Sequence, residues 1–344
     1  MCNSFVKYSQ QSTNYVCGMK WMLEPAIKQE RETIKYGDKL LLMGSCFTNN
    51  IGSKLCNWKF EALHNATGIL FDPHSISRHL SFFANKKTFV SADLFQAGEI
   101  WNSWEHHSDF SDISVAESVN KINEAHSASS TFLAEADWLI ITLGSSYSYH
   151  LADTNRPVAN CHRMPQQSFI KNLMGIEETV ACLKKSLDAC LKLNPKLKLI
   201  WTVSPVRHIR DGMVENNRSK ARLLEAVHLL CEQGYGSYFQ AYELVIDILR
   251  DYRFFDTDLV HPNYAATEYV FEVFCKTYMD APTLHLMDEV KQLLTAFRHK
   301  PLHPESAAHR LFKEKYLAKI KDLSGHMPDK DWAKELGYFE GLSA

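Results

Sequence analysis

The sequence predicts an α/β protein: a three-layer α/β/α sandwich around a mainly parallel sheet, with a loop-rich insertion and a helical C-terminal tail. Two observations predict it. Three short runs, at 39–43, 138–143 and 198–203, are apolar on both faces, as strands covered by helices on both sides must be. Between them lie segments with helical periodicity, and this alternation is the α/β signature.

In chain order, Lys39-Leu40-Leu41-Leu42-Met43 reads as a buried strand that stops at Gly44, and 49–57 then reads as a helix. Trp138-Leu139-Ile140-Ile141-Thr142-Leu143 is the second strand, ending at Gly144. Lys198-Leu199-Ile200-Trp201-Thr202-Val203 is the third, stopped by Ser204-Pro205. Ile176, Val180, Leu183, Leu187 and Leu191 form an apolar stripe at intervals of three and four, closed by Asn194-Pro195. Residues 217–232 carry Leu223, Leu224, Val227, Leu230 and Cys231 on one side and end at Gly234; a further strand is expected near Tyr238-Phe239, and 263–279 reads as the last core helix.

The domain so outlined is 22–280. Within it, 72–132 is rich in His, Ser, Asn and aromatic residues and reads as an insertion or cap. Residues 1–21 read as a poorly ordered N-terminal extension and 281–344 as a helical tail. The tail's stripe of Leu311, Phe312, Tyr316, Ile320 and Leu323 is a docking face for the body or a dimer contact.

Composition excludes several classes. The formal net charge is −2 with both signs interspersed, so neither nucleic acid nor an anionic membrane is an expected partner. Nine cysteines, an odd number with no Cys-x-x-Cys and no zinc-type spacing, point to a reducing cytoplasm rather than to a disulfide framework or a metal site. The first residues have no apolar signal region, and no run approaches the roughly 20 apolar residues that span a bilayer. Neither a phosphate loop nor a dinucleotide fingerprint is present, so no cofactor is expected.

Two blocks carry chemistry. In Met43-Gly44-Ser45-Cys46-Phe47-Thr48, a glycine ends a strand, nucleophilic residues follow and a helix begins. A residue there meets free backbone N–H groups and the positive end of the helix, which lower a thiol's pKa and stabilise an oxyanion. The alternative is a Ser N-cap beside a buried Cys. In Asp258-Leu259-Val260-His261-Pro262, the carboxylate can reach the imidazole within one turn and fix its tautomer, leaving the other nitrogen to act as a base.

The chain resembles the GSCFA family, a relative of the SGNH (GDSL-like) hydrolases. The naming motif stands here as Gly44-Ser45-Cys46-Phe47-Thr48, with Thr in place of Ala. The likeness extends through Asn65-Ala66-Thr67-Gly68, Trp101-Asn102-Ser103-Trp104-Glu105-His106-His107, Asn160-Cys161-His162-Arg163 and Thr202-Val203-Ser204-Pro205-Val206-Arg207-His208. It implies an SGNH-like fold and ester chemistry, with Asp258 and His261 as the closing Asp-x-x-His block. Gly68 then corresponds to the glycine of the second block, whose N–H serves the oxyanion hole. Gly144 matches the third, but Ser146 stands where its oxyanion Asn would be, and Asn160 is another candidate donor. SGNH proteins read Gly-Asp-Ser, so Cys46 falls at the nucleophile position and Ser45 at the Asp position.

The remaining polar clusters lie in loops. His106 and His107 read as capping-loop or substrate contacts rather than metal ligands, because adjacent imidazoles rarely share an ion. Asn160 and His162 follow the second strand as substrate-binding candidates or as a self-satisfied turn. Arg207 and His208 follow the third strand; Arg207 is a carboxylate or phosphate clamp, or the partner of an ion pair near Asp211 or Glu215. The expected function is an acyl-ester hydrolase or acyltransferase acting on a small-molecule or glycan-linked acyl substrate. Its rival is a non-catalytic module of the same fold that binds an acylated or glycosylated ligand.

Overall fold

The computed structural model describes residues 22–341, so the extension expected at 1–21 lies outside the described residues. The strands are β1 Lys39–Gly44, β2 Glu61–His64, β3 Phe95–Ala97, β4 Ile100–Asn102, β5 Trp138–Leu143, β6 Tyr147–Leu151, β7 Pro157–Val158, β8 Phe169–Leu173, β9 Lys198–Val203 and β10 Ser237–Tyr238. The helices are α1 Cys46–Asn57, α2 Pro73–Ala84, α3 Val115–Glu135, α4 Ile176–Leu193, α5 Met213–Glu232, α6 Ala241–Glu243, α7 Tyr264–Tyr278, α8 Ala281–Arg298, α9 Ala307–His326 and α10 Ala333–Glu340.

Five strands in the order β10-β9-β5-β1-β2 form the central sheet, and every pairing in it is parallel. Alternation along the strands explains why their sequences are apolar throughout. Leu40, Leu42, Ile140 and Ile200 face one helical layer, with α1, α7 and α8. Leu41, Met43, Leu139, Ile141 and Trp201 face the other, with α2, α4 and α5. Each such side chain contributes roughly 1.5–3 kcal/mol on leaving water.

The three buried strands and the helix at 176–193 lie where periodicity placed them. Three features differ. α1 starts at Cys46, directly after the turn. β2 was missed because Glu-Ala-Leu-His, an edge strand with every residue half-buried, has no apolar run. Finally, 72–132 includes α2 and most of α3, so its loop-rich part is the middle, around the β3–β4 hairpin. Asp72 caps α2, its Oδ1 accepting the Ser75 amide at 3.0 Å, and Pro73 occupies the first turn.

The tail docks on the body. Ile320, Leu323, Met327, Trp332 and Phe339 belong to the same buried cluster as α1 and α7, and Lys59 pairs with Glu335 at 2.9 Å. Leu311, expected on that face, is instead exposed. Among the described residues no helix is long and apolar enough to cross a membrane.

The tightest backbone approach lies at the end of β1. Gly44 has φ +135°, and a Cβ on it would lie 2.1 Å from Thr142 O. Gly44→Ala is therefore expected to lower stability by about 3 kcal/mol or more, which a urea titration would measure; a loss under about 1 kcal/mol would mean the turn can relax.

Candidate active site

Parallel strands finish together, so Gly44, Gly144 and Ser204 gather at the carboxyl edge of β1, β5 and β9, where open α/β sheets form their crevice. At that edge the Ser45 amide donates to Thr142 O at 3.1 Å and the Gly44 amide donates to Asn65 Oδ1 at 2.8 Å. Asn65, at φ +42°, also donates through Nδ2 to Asn49 Oδ1 at 2.7 Å, clamping the strand exit to α1.

Ser45 is the N-cap of α1 through its backbone alone. Its side chain makes no capping bond, the residue is 1% exposed, and Oγ is buried without a partner among the described residues. Cys46 is half-buried and is the more accessible of the two. Burial raises its thiol above the ordinary value, outweighing the charge of Lys220 and the amides of Phe47 and Cys46, which pull it down. The expectation that the helix terminus leaves this thiol depressed is therefore corrected: the sulfur loses more by leaving water than those groups return.

Lys220, on α5, was not singled out from the sequence. It is 1% exposed, and Nζ donates to Gly144 O at 2.5 Å and to Ser204 O at 2.6 Å, joining the ends of β5 and β9. Burial pushes the amine down to about 7, while Cys46 acts in the opposite direction. A signal was available: Asn216, Ser219, Lys220, Leu223, Val227 and Leu230 share the buried stripe of α5, and a lysine there stands out.

Asp258 and His261 lie in the loop before α7. His261 Nδ1 stands 2.5 Å from Asp258 Oδ2, and Asp258 Oδ1 accepts the amides of Val260 and His261, each at 3.0 Å. Those two amides and the imidazole hold the Asp258 carboxyl down to about 2. The His261 side chain is 48% exposed, and its Nε2 has no hydrogen-bond partner among the described residues. His208 lies close enough to feel both Lys220 and His261. Burial, with Lys220 as the next contributor, pushes its imidazole down to about 4. Its ring meets Phe71 edge-on at 5.8 Å.

The expected oxyanion donors are already engaged. The Gly68 amide donates to Asn65 O at 2.9 Å and the Gly144 amide to Phe71 O at 2.8 Å. Ser146 Oγ donates to Ser219 O at 2.9 Å, and its amide donates to Ser219 Oγ at 2.8 Å. These residues frame the edge rather than offering free N–H or O–H groups to it. Gly68 has a steric role instead: at φ +95°, a Cβ on it would lie 2.5 Å from His107 Cβ.

The cap residues are corrected in the same way. His106 is fully buried among other imidazoles and cannot touch a substrate. His107 reaches solvent and pairs with Asp109 at 3.0 Å. Asn160 Oδ1 accepts the His162 amide at 2.8 Å, and His162 Nε2 lies 2.7 Å from Ser103 O, so this turn fastens the cap. Arg207 forms no ion pair among the described residues. Asp211 bonds to Lys171, and Glu215 takes Arg218 and the Tyr147 hydroxyl.

Residues 39–274 match the GSCFA family. The chain belongs to the GSCFA family. Residues 290–342 match a second description, GSCFA domain protein, C-terminal domain, which takes in α9, α10 and part of α8. No curated protein matches. Among solved structures, an acetyl xylan esterase (Est2A) from the rumen bacterium Butyrivibrio proteoclasticus is similar, at 13% identity and a TM-score of 0.35, over 76% of this chain and 65% of that one. The chain thus spans less than two thirds of that protein, and a likeness at this level says nothing about the site. In this GSCFA chain the naming motif is the strand-to-helix turn that carries Cys46.

With its amine at about 7 instead of the usual 10.5, Lys220 links folding to pH, because between those values the unfolded chain holds a proton the folded chain lacks. Its contribution is complete above 10.5 and falls away as pH drops through about 7, so Lys220→Met should flatten the urea-midpoint profile across that window. The same substitution removes the cation beside Cys46, and alkylation of that thiol by iodoacetamide, followed by peptide mapping, should shift to higher pH. An unchanged alkylation profile would separate Lys220 from the thiol.

Proposed function

We propose that the chain is an acyl-ester hydrolase or acyltransferase with Cys46 as nucleophile and the Asp258–His261 pair as its proton shuttle, acting on a small or glycan-linked acyl group. The observation that carries this reading is the His261 imidazole, about half exposed and held through Nδ1 by an ionised Asp258, with Nε2 unbonded among the described residues. Such a ring is fixed in one tautomer and free to move a proton.

The chemistry follows from the thiol's environment. Because burial keeps Cys46 protonated, its proton must leave as the sulfur attacks, and His261 takes it. The sulfur bonds to the ester carbonyl carbon, and the carbonyl oxygen becomes an oxyanion. The Cys46 amide, at the N-terminus of α1, is the donor assigned to that charge, since Gly68, Gly144 and Ser146 are engaged, and the buried Lys220 ammonium, tied to Gly144 O and Ser204 O, acts on it only through its charge. Collapse breaks the ester C–O bond, and the imidazolium returns its proton to the departing alkoxide. Water, deprotonated by His261, then cleaves the thioester to give the acid and the free thiol; an acceptor alcohol in place of water gives transfer. Asp258 orients His261 and balances its transient charge. Arg207 and His208 are assigned to the substrate side of the same edge.

On p-nitrophenyl acetate and butyrate, His261→Ala should abolish nitrophenol release without lowering the melting temperature, because that ring is exposed and makes no core contact. Asp258→Asn should slow release by about a hundredfold or more. Cys46→Ala should be inactive, Cys46→Ser should keep a fraction of activity and resist iodoacetamide, and Ser45→Ala should stay within a few-fold of the parent. Full activity in Cys46→Ala with a dead Ser45→Ala would move the nucleophile to Ser45. No turnover or labelling with any acyl donor would leave a binding module.

A further inference from the structure

Below the cap, three histidines from three separate segments converge. His79 comes from α2, His106 from the loop after β4, and His126 from α3; all three are buried. One ring nitrogen of each lies within 4.8 Å of the corresponding nitrogens of the other two. Phe82, Phe83, Phe89 and Phe110 surround the rings. Burial keeps the imidazoles neutral, the form that offers a lone pair.

The hydrogen bonds do not close among these rings. His106 Nε2 and His126 Nε2 face each other at 2.7 Å, so one of the two must carry the proton. His126 Nδ1 is buried with no partner among the described residues, and whichever tautomer it takes, one of its ring nitrogens is left unsatisfied or unbonded there. His106 Nδ1 lies 2.8 Å from Ser103 Oγ, and His79 Nε2 lies 2.9 Å from Glu105 O, contacts that orient a ring toward a ligand on its other nitrogen. His79 Nδ1 meets only the Thr67 hydroxyl, at 2.9 Å, a rotor that turns away more cheaply than a backbone carbonyl. Glu105, nearby, is already paired through Oε1 with Arg78 and Arg156, and its buried Oε2 has no partner among the described residues.

We infer that His79, His106 and His126 form a binding site for one divalent transition-metal ion of the zinc type, which ties α2, the loop after β4 and α3 together beneath the cap. Three neutral imidazoles suit zinc, and the Thr67 hydroxyl or a water completes a tetrahedral set. Binding would part the two facing nitrogens from 2.7 Å to about 3.3 Å, the edge of a tetrahedron with ordinary zinc–nitrogen bonds. The consequence for the proposed active site is indirect. Thr67 precedes Gly68, and Gly68 packs on His107, so the ion would fix the contact between the cap and the loop beside the strand exit. The inference does not depend on the acyl chemistry.

The full-length chain, produced in zinc-supplemented medium and dialysed against metal-free buffer, tests it by elemental mass spectrometry and X-ray absorption at the zinc edge. The expected result is about one zinc per chain with a nitrogen and oxygen shell and no sulfur, falling to about a tenth in both His126→Phe and His79→Gln. Trace zinc in the parent, a shell containing sulfur, or undiminished zinc in folded variants would overturn the site. Should either variant fail to fold, the stoichiometry and shell of the parent decide.

Discussion

Lys220 donates to Gly144 O and Ser204 O from a position almost wholly out of water, and the carboxyl edge of the sheet is organised around it. A buried amine is costly unless bonded, and these two carbonyls, orphaned where β5 and β9 end, are acceptors equally in need of a donor. Joining them fixes the relative height of two strand ends. The same group sets the electrostatics of the edge, since Cys46 and His208 both respond to its charge. Structural and chemical demands therefore meet in one side chain.

The remainder of the edge consists of close approaches that permit few alternatives. Gly44 passes against Thr142 O, and Asn65 receives the Gly44 amide while holding Asn49, so the start of α1 is fixed from two sides. Ser45 is thereby turned inward and Cys46 left half-exposed. The Asp258–His261 loop is different in kind, being solvent-exposed and held mainly by its own amides and the α7 cap at Asn263. The half-buried thiol and the exposed imidazole therefore stand in opposite environments, one set by packing and the other by a local turn.

The parallel core was legible because burial on both faces leaves an uninterrupted apolar run, as in Leu139, Ile140 and Ile141. The Asp258 and His261 pairing was equally legible, since three residues of spacing at a turn allow only a short reach. What could not be read depended on distant partners. Gly68 and Gly144 are glycines where a motif wants free amides, yet Asn65 O and Phe71 O, supplied by other segments, consume them. His106 lay beside His107 in sequence, but one side chain turns into the core and the other toward solvent. His79, His106 and His126 have no motif spacing, so only the fold gathers them. Lys220 was legible in principle as a charge on a buried stripe, and it is the clearest case of a broken pattern marking a site.

The proposed acyl chemistry passes through a covalent intermediate at one sulfur, and rapid-quench mass spectrometry with p-nitrophenyl acetate tests for it directly. Quenching before deacylation should show a one-acetyl mass increase that maps to the peptide containing Cys46, is removed by hydroxylamine at neutral pH and is absent from Cys46→Ala. An acetyl group on Ser45, or turnover with no covalent adduct at any time point, would contradict it.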